Sequence, residues 1–195
     1  MKFDKFDLIG YISILIIILI IISMSLELTG RVSDSSQVNI TIEPFAAINF
    51  TLSNISFGTG AVEDGQLNAS LDTLGNIIRG NWSVVRDGFK IENVGNVNVT
   101  LDLKSGKTAA VFLGGSNPDY EYNISENETG SCSGGSISLN NWYDINTTNP
   151  GTRICNLFLC KDSNDTIEID LHLIVPSDAQ PGLKSDIFTA TATSL

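Results

Sequence analysis

The sequence predicts an all-β domain, an antiparallel two-sheet sandwich of Ig-like or jelly-roll-like kind, preceded by one N-terminal transmembrane or signal helix. Three observations predict it. Residues 8–26 form one apolar run without a charge. Beyond them, apolar and polar residues alternate with period two through many short stretches, the pattern of half-buried strands. Gly, Asn, Ser and Pro separate those stretches where amphipathic helices would otherwise stand, which is how sandwiches read.

The apolar run is LIGYISILIIILIIISMSL. As a helix it spans roughly 28 Å, near the thickness of a bilayer's hydrocarbon core. Lipid leaves the backbone no hydrogen-bond partner but itself, so the run is expected to be helical despite its isoleucines. It exceeds the apolar core of a cleaved signal peptide, about 7–15 residues, and so reads as an anchor. Ser23-Met24-Ser25 also offers a small-x-small cleavage pattern, which would release a secreted form trimmed near Ser25. Lys2 and Lys5 precede the run, with Glu27 and Arg31 after it, so the N-terminus is expected inside. The divisions expected are a cytoplasmic N-terminus (1–7), a membrane helix or signal anchor (8–26), a linker (27–37) and an extracellular domain (38–195).

Within that domain Val38, Ile40 and Ile42 alternate with Asn39 and Thr41, and Ile48, Phe50 and Leu52 repeat the scheme. Residues 58–80 are glycine-rich and read as loops, with a short helical turn near 71–74. A hairpin is expected where Phe89 and Ile91 lead through Asn93-Val94-Gly95-Asn96 into Val97, Val99, Leu101 and Leu103, because Asn and Gly supply the positive φ of tight turns. Shorter strands are expected at 109–113, 120–124, 136–139 and 153–159, with residues 125–135 as an acidic surface loop. Ile167, Ile169, Leu171, Leu173 and Val175 make the longest alternation. Prolines 176 and 181 break it before a β-branched strand at 187–193, since proline does not sit in a central ladder.

The formal net charge is −11, which argues against nucleic acid or anionic lipid as a partner and suits a soluble, self-repelling surface. Ten Asn-x-Ser/Thr triplets begin at Asn39, Asn49, Asn54, Asn68, Asn81, Asn98, Asn123, Asn127, Asn146 and Asn164, more than the Ser and Thr content gives by chance. They predict N-glycan acceptors. A polar outer strand face also produces an i, i+2 spacing, but asparagine is a poor strand former. Of the three cysteines, Cys132 is expected to pair with Cys155 or Cys160; their spacing is not that of a zinc or redox motif.

No catalytic or cofactor-binding residues emerge. His172 is the single histidine; it alternates outward and is expected to be solvated, with no G-x-S-x-G elbow to make it part of a triad. Asp162, Asn164 and Asp165 are the candidate metal residues, for Ca²⁺, although an ordinary turn accounts for them. Trp82, Trp142, Tyr120, Tyr122 and Tyr143 could line a carbohydrate-binding face or anchor the core, and core anchoring is the expected role of the tryptophans.

The stretch FKIENVGNVNVT at 89–100 resembles the x-N-x-G-N-x-x-V hairpin of Ig-like surface domains. With VPSDAQPG at 175–182 and the Thr/Ala-rich final strand, residues 85–195 are similar to secreted camelysin/TasA-type and WxL-type sandwiches of bacterial and archaeal envelopes. Some TasA-type proteins polymerise by lending an N-terminal strand to the next subunit. The resemblance implies a non-enzymatic cell-surface protein, a coat or filament subunit, whose partners are other copies of itself or envelope proteins; residues 36–43 would be the lent strand. The alternative expectation is a glycan- or partner-binding module using exposed aromatics or the 125–135 loop. An extracellular hydrolase comes third.

Overall fold

The computed structural model describes residues 5–26 and 33–195, and within the first stretch the side chains of 9–23. Residues 1–4 of the expected N-terminal tail and 27–32 of the expected linker lie outside the described residues. The chain divides into two units, Met1–Ile42 and Glu43–Leu195.

In the first unit, helix α1 runs over Lys5–Leu26. Its described side chains are apolar on every face and exposed, Tyr11 at 66 % and Leu15 at 62 %. Ser13 donates its hydroxyl to the Ile9 carbonyl and Ser23 to that of Ile20, so neither hydroxyl depends on water. Residues 9–23 would cover roughly 22 Å as a helix, and among the described residues no helix is long and apolar enough to cross a membrane. Residues 33–42 follow without secondary structure. The strand expected there has no ladder: Val38, Ile40 and Ile42 are 91 %, 85 % and 77 % exposed.

The second unit is all-β, two antiparallel sheets on one apolar core. The larger sheet is built on the longest alternation of the sequence, Thr166–Pro176. The strands in chain order are β1 (Asn49–Leu52), β2 (Asn68–Asp72), β3 (Ile77–Ile78), β4 (Phe89–Glu92), β5 (Val99–Ser105), β6 (Asp119–Glu126), β7 (Cys132–Ser133), β8 (Trp142–Asp144), β9 (Thr152–Phe158), β10 (Thr166–Pro176) and β11 (Phe188–Ser194). One edge of β10 pairs with β6, which in turn pairs with β8; its other edge is shared by β4, leading to β1, and β2, leading to β3. The second sheet has the order β11-β5-β9-β7. Ile167, Ile169, Leu171 and Leu173 of β10 and Tyr120, Tyr122 and Ile124 of β6 meet Val99, Leu101 and Leu103 of β5 and Phe158 of β9, each at most 5 % exposed.

Several expectations are corrected. The 89–104 hairpin does not form: β4 pairs with β1 and β10, β5 with β9 and β11, so the Asn-Val-Gly-Asn segment crosses between sheets. Its first residue acts as a buried connector. Asn93, 2 % exposed, donates Nδ2 to the carbonyls of Val97 and Phe158 and accepts the Gly95 N–H. Gly95 is required by close approach: a Cβ there would stand 2.4 Å from the Phe45 carbonyl oxygen. The strands at 166–176 and 188–194 likewise lie in different sheets. Residues 68–72 and 77–78, expected in loops and a helical turn, are strands. Residues 109–112, expected as a strand, form the short helix α2 (Ala109–Phe112), capped by the Thr108 side chain on Val111 N–H. Residues 136–139 join no strand.

Candidate functional site

The polar constellation of the domain sits on the outer face of the larger sheet, on the side of β10 opposite its core residues. Alternation carries Glu168, Asp170, His172 and Ile174 to that face, and antiparallel pairing brings outward residues of neighbouring strands alongside. His172 stands opposite Glu121 of β6 and Asp72 of β2; Glu121 stands opposite Asp144 of β8; Asn123 lies between Asp170 and Trp142.

His172 is therefore not the solvated side chain expected from its alternation. Its Nδ1 lies 2.9 Å from Glu121 Oε2 and its Nε2 2.8 Å from Ser70 Oγ on β2. The His172 and Glu121 side chains are 22 % and 23 % exposed. Trp142 flanks the imidazole, ring centres 5.6 Å apart and planes tilted by 52°. Asp119, two residues before Glu121 on the same face, brings a carboxylate oxygen, so that one ligand atom each from Asp119, Glu121 and His172 lies within 4.8 Å of the others. Beside them Asn123 is 9 % exposed, and its buried Oδ1 has no hydrogen-bond partner. Asp170, on the other side of Asn123, accepts the Thr73 hydroxyl at 2.6 Å. Burial raises the Asp170 carboxyl above its ordinary range, Thr73 opposes the rise, and the carboxylates of Glu168, Asp72 and Asp87 add to it.

Ser70, His172 and Glu121 are linked in the order of a serine-hydrolase triad. An oxyanion hole, which supplies much of such an enzyme's rate, needs free N–H donors near the nucleophile. Ser70 lies in mid-strand, paired with Ile78 on one side and Ile174 on the other, which commits the surrounding backbone to ladders.

The residues singled out from the sequence are placed as follows. Tyr120 and Tyr122 are core residues, 3 % and 2 % exposed, so they line no external face; burial, with Asp186 nearby, holds the Tyr120 phenol far above its ordinary pKa and therefore neutral. Tyr143 packs on Tyr122, and its hydroxyl accepts the Ser138 N–H. Trp82 packs over Gly60 and Gly80. Asp162, Asn164 and Asp165 fall in a turn. Asn164 Nδ2 donates to the Thr129 carbonyl, and Asp165 is buried, accepting from the Thr166 hydroxyl. Burial raises the Asp165 carboxyl, as do Glu128 and Glu92. Cys132 is bonded to Cys155, leaving Cys160 as a free, half-buried thiol.

Among the sequon asparagines, Asn39, Asn49, Asn54, Asn81 and Asn127 are exposed, while Asn68, Asn98, Asn146 and Asn164 are half-buried. Asn146 and Asn164 use their amide nitrogen, the atom a glycan would modify, as donor to Thr152 and Thr129. Asn123 is a correction: it is buried on the sheet face and is not a surface acceptor. The His172 cluster was missed because its members are separated in sequence, and only the register of β2, β10 and β6 unites them. The i, i+2 acids Asp119 and Glu121 were the one local signal.

No protein-family model matches this chain, and neither a curated protein nor a solved structure matches it.

Proposed function

We propose that the chain is a non-enzymatic cell-surface structural protein that assembles with copies of itself by strand addition. The carrying observation is an apolar, strand-patterned segment left out of every ladder: Val38, Ile40 and Ile42 stand almost fully exposed. A receptor for such a strand is available on another copy. Edge strands β1 and β11, which belong to different sheets, border a cleft of about 220 Å³ lined by Phe50, Ser53, Phe89, Asp186, Ile187 and Phe188. Unpaired edge N–H and C=O groups favour an added strand, and alternate side chains of that strand would pack against Phe50, Phe89 and Phe188 in the cleft. Residues 36–43 supply this pattern.

The outside location rests on the apolar run of 8–26 with Lys2 and Lys5 before it, on ten sequons, and on a disulfide, which oxidising compartments maintain. Retention of residues 8–26 would give an anchored coat, and cleavage near Ser25 a free filament subunit. Ile40→Asp tests the reading, because Ile40 contributes nothing to the core. The substituted full chain should keep its monomer melting temperature and lose the higher-order species seen by sedimentation and electron microscopy. Assemblies equal in size and yield to those of the unsubstituted protein would sink strand addition.

A further inference from the structure

We propose that Asp119, Glu121 and His172 form a binding site for one divalent transition-metal ion of the Zn²⁺ class, on the outer face of the larger sheet. The donor set is one imidazole nitrogen and two carboxylates, with ligand atoms mutually within 4.8 Å. Imidazole with carboxylate suits Zn²⁺ and its neighbours, whereas an all-oxygen set would suit Ca²⁺ or Mg²⁺. Two carboxylates and a neutral imidazole balance a dication, in a chain whose formal net charge is −11.

The surroundings are those of a held ligand set. The Ser70 hydroxyl lies 2.8 Å from His172 Nε2. Accepting the Nε2 proton, it would fix the tautomer that turns the Nδ1 lone pair toward the carboxylates, as second partners of metal-bound histidines do. With Nδ1 protonated the 2.9 Å contact to Glu121 Oε2 is an ordinary hydrogen bond, and metal uptake would displace that proton. Trp142 flanks the ring, its plane tilted by 52° to the imidazole with ring centres 5.6 Å apart. Asp119 Oδ1 accepts the Tyr120 N–H at 2.8 Å, which orients that carboxylate. An independent pointer is Asn123, two residues after Glu121 on the same face of β6 and 9 % exposed: its buried Oδ1 lacks a partner. Buried polar atoms rarely go unpaired, and a metal-bound water would supply the donor this one lacks. A triad reading of Ser70, His172 and Glu121 accounts for neither the second carboxylate nor the missing oxyanion donors.

The test uses the untagged full-length chain with Zn²⁺ and Co²⁺ as probes. Equilibrium dialysis should find one Zn²⁺ per chain. Co²⁺ should quench the emission of Trp142, whose ring centre lies 5.6 Å from that of His172, and Zn²⁺ should restore it; Trp142→Phe should remove the quenching. His172→Gln should abolish uptake. Ser70→Ala, which changes only the outer partner, should weaken it about tenfold, and Asp119→Asn, on a carboxylate outside the core, by at least as much. Zn²⁺ uptake absent from the wild-type chain, or unchanged in both His172→Gln and Asp119→Asn, would overturn the site. Selective labelling of Ser70 by a fluorophosphonate would also overturn it, assigning the cluster to nucleophilic chemistry.

Discussion

Removing the Cys132–Cys155 bridge gives a prediction whose size follows from the chain itself. The two cysteines are 23 residues apart in sequence and join β7 to β9 with a Cα–Cα distance of 5.5 Å, within the ordinary range for a disulfide. Closing a loop of that length removes about 3 kcal/mol of conformational freedom from the unfolded chain. Both residues are buried, 3 % and 0 % exposed, so replacing both with alanine also thins the packing and acts in the same direction. In a domain of this size one kcal/mol corresponds to about 2–4 °C, so the double variant should melt about 6–12 °C below wild type. Cys160→Ala should melt with wild type. Thermal and guanidinium unfolding, each with and without reductant, make the measurement: reduced wild type should approach the double variant, and the double variant should ignore reductant. The reasoning fails if Cys160→Ala is as destabilising as Cys155→Ala. It fails equally if peptide mapping of wild type finds Cys132 bonded to Cys160.

Two further outcomes follow from buried polar groups. Asn93→Ala should cost about 2–3 kcal/mol, because it leaves the Val97 and Phe158 carbonyls and the Gly95 N–H without the partner that joins the two sheets; denaturant midpoints compared with those of Asn96→Ala would check it. Asp170 has its folded pKa raised by burial, so the folded chain holds this proton more tightly than the unfolded chain, and the group's contribution to stability grows as pH falls through that titration. Asp170→Asn keeps an acceptor for the Thr73 hydroxyl and discards the charge; it should therefore stabilise at pH 7, with the gain shrinking toward acid pH, and a gain independent of pH would contradict the account.

Much of the fold was legible in the sequence, and the failures have a common cause. The period-two runs at 166–175 and 97–104 fall on β10 and β5 because each strand buries one face, which writes the alternation directly. The hairpin expected at 89–104 is absent because turn chemistry is local, whereas the choice of sheet depends on which strand offers a free edge. Asn93 and Gly95 are explained by carbonyls that come from Phe45 and Phe158, and neither residue announces that in its neighbourhood. Residues 68–72 read as loop because the surrounding stretch 58–80 holds five glycines and no sustained alternation; pairing with β10 overrides that propensity. Residues 109–112 carry no strand because no edge receives them, so Thr108 caps a helical turn instead.

By itself the sequence determined that the described domain is β-structured, that its apolar face is divided among many short strands, and that the N-terminal run is helical and apolar on all sides. These are properties of successive residues, and the period of burial records them. Only the tertiary structure decided which cysteine Cys132 meets, that Tyr120 and Tyr122 face inward, that Asn123 is buried, and that His172 lies between Ser70 and Glu121. Each of these depends on the register between strands far apart in the chain. Register is set by the summed fit of two whole sheets on one core, so no single stretch of sequence carries it.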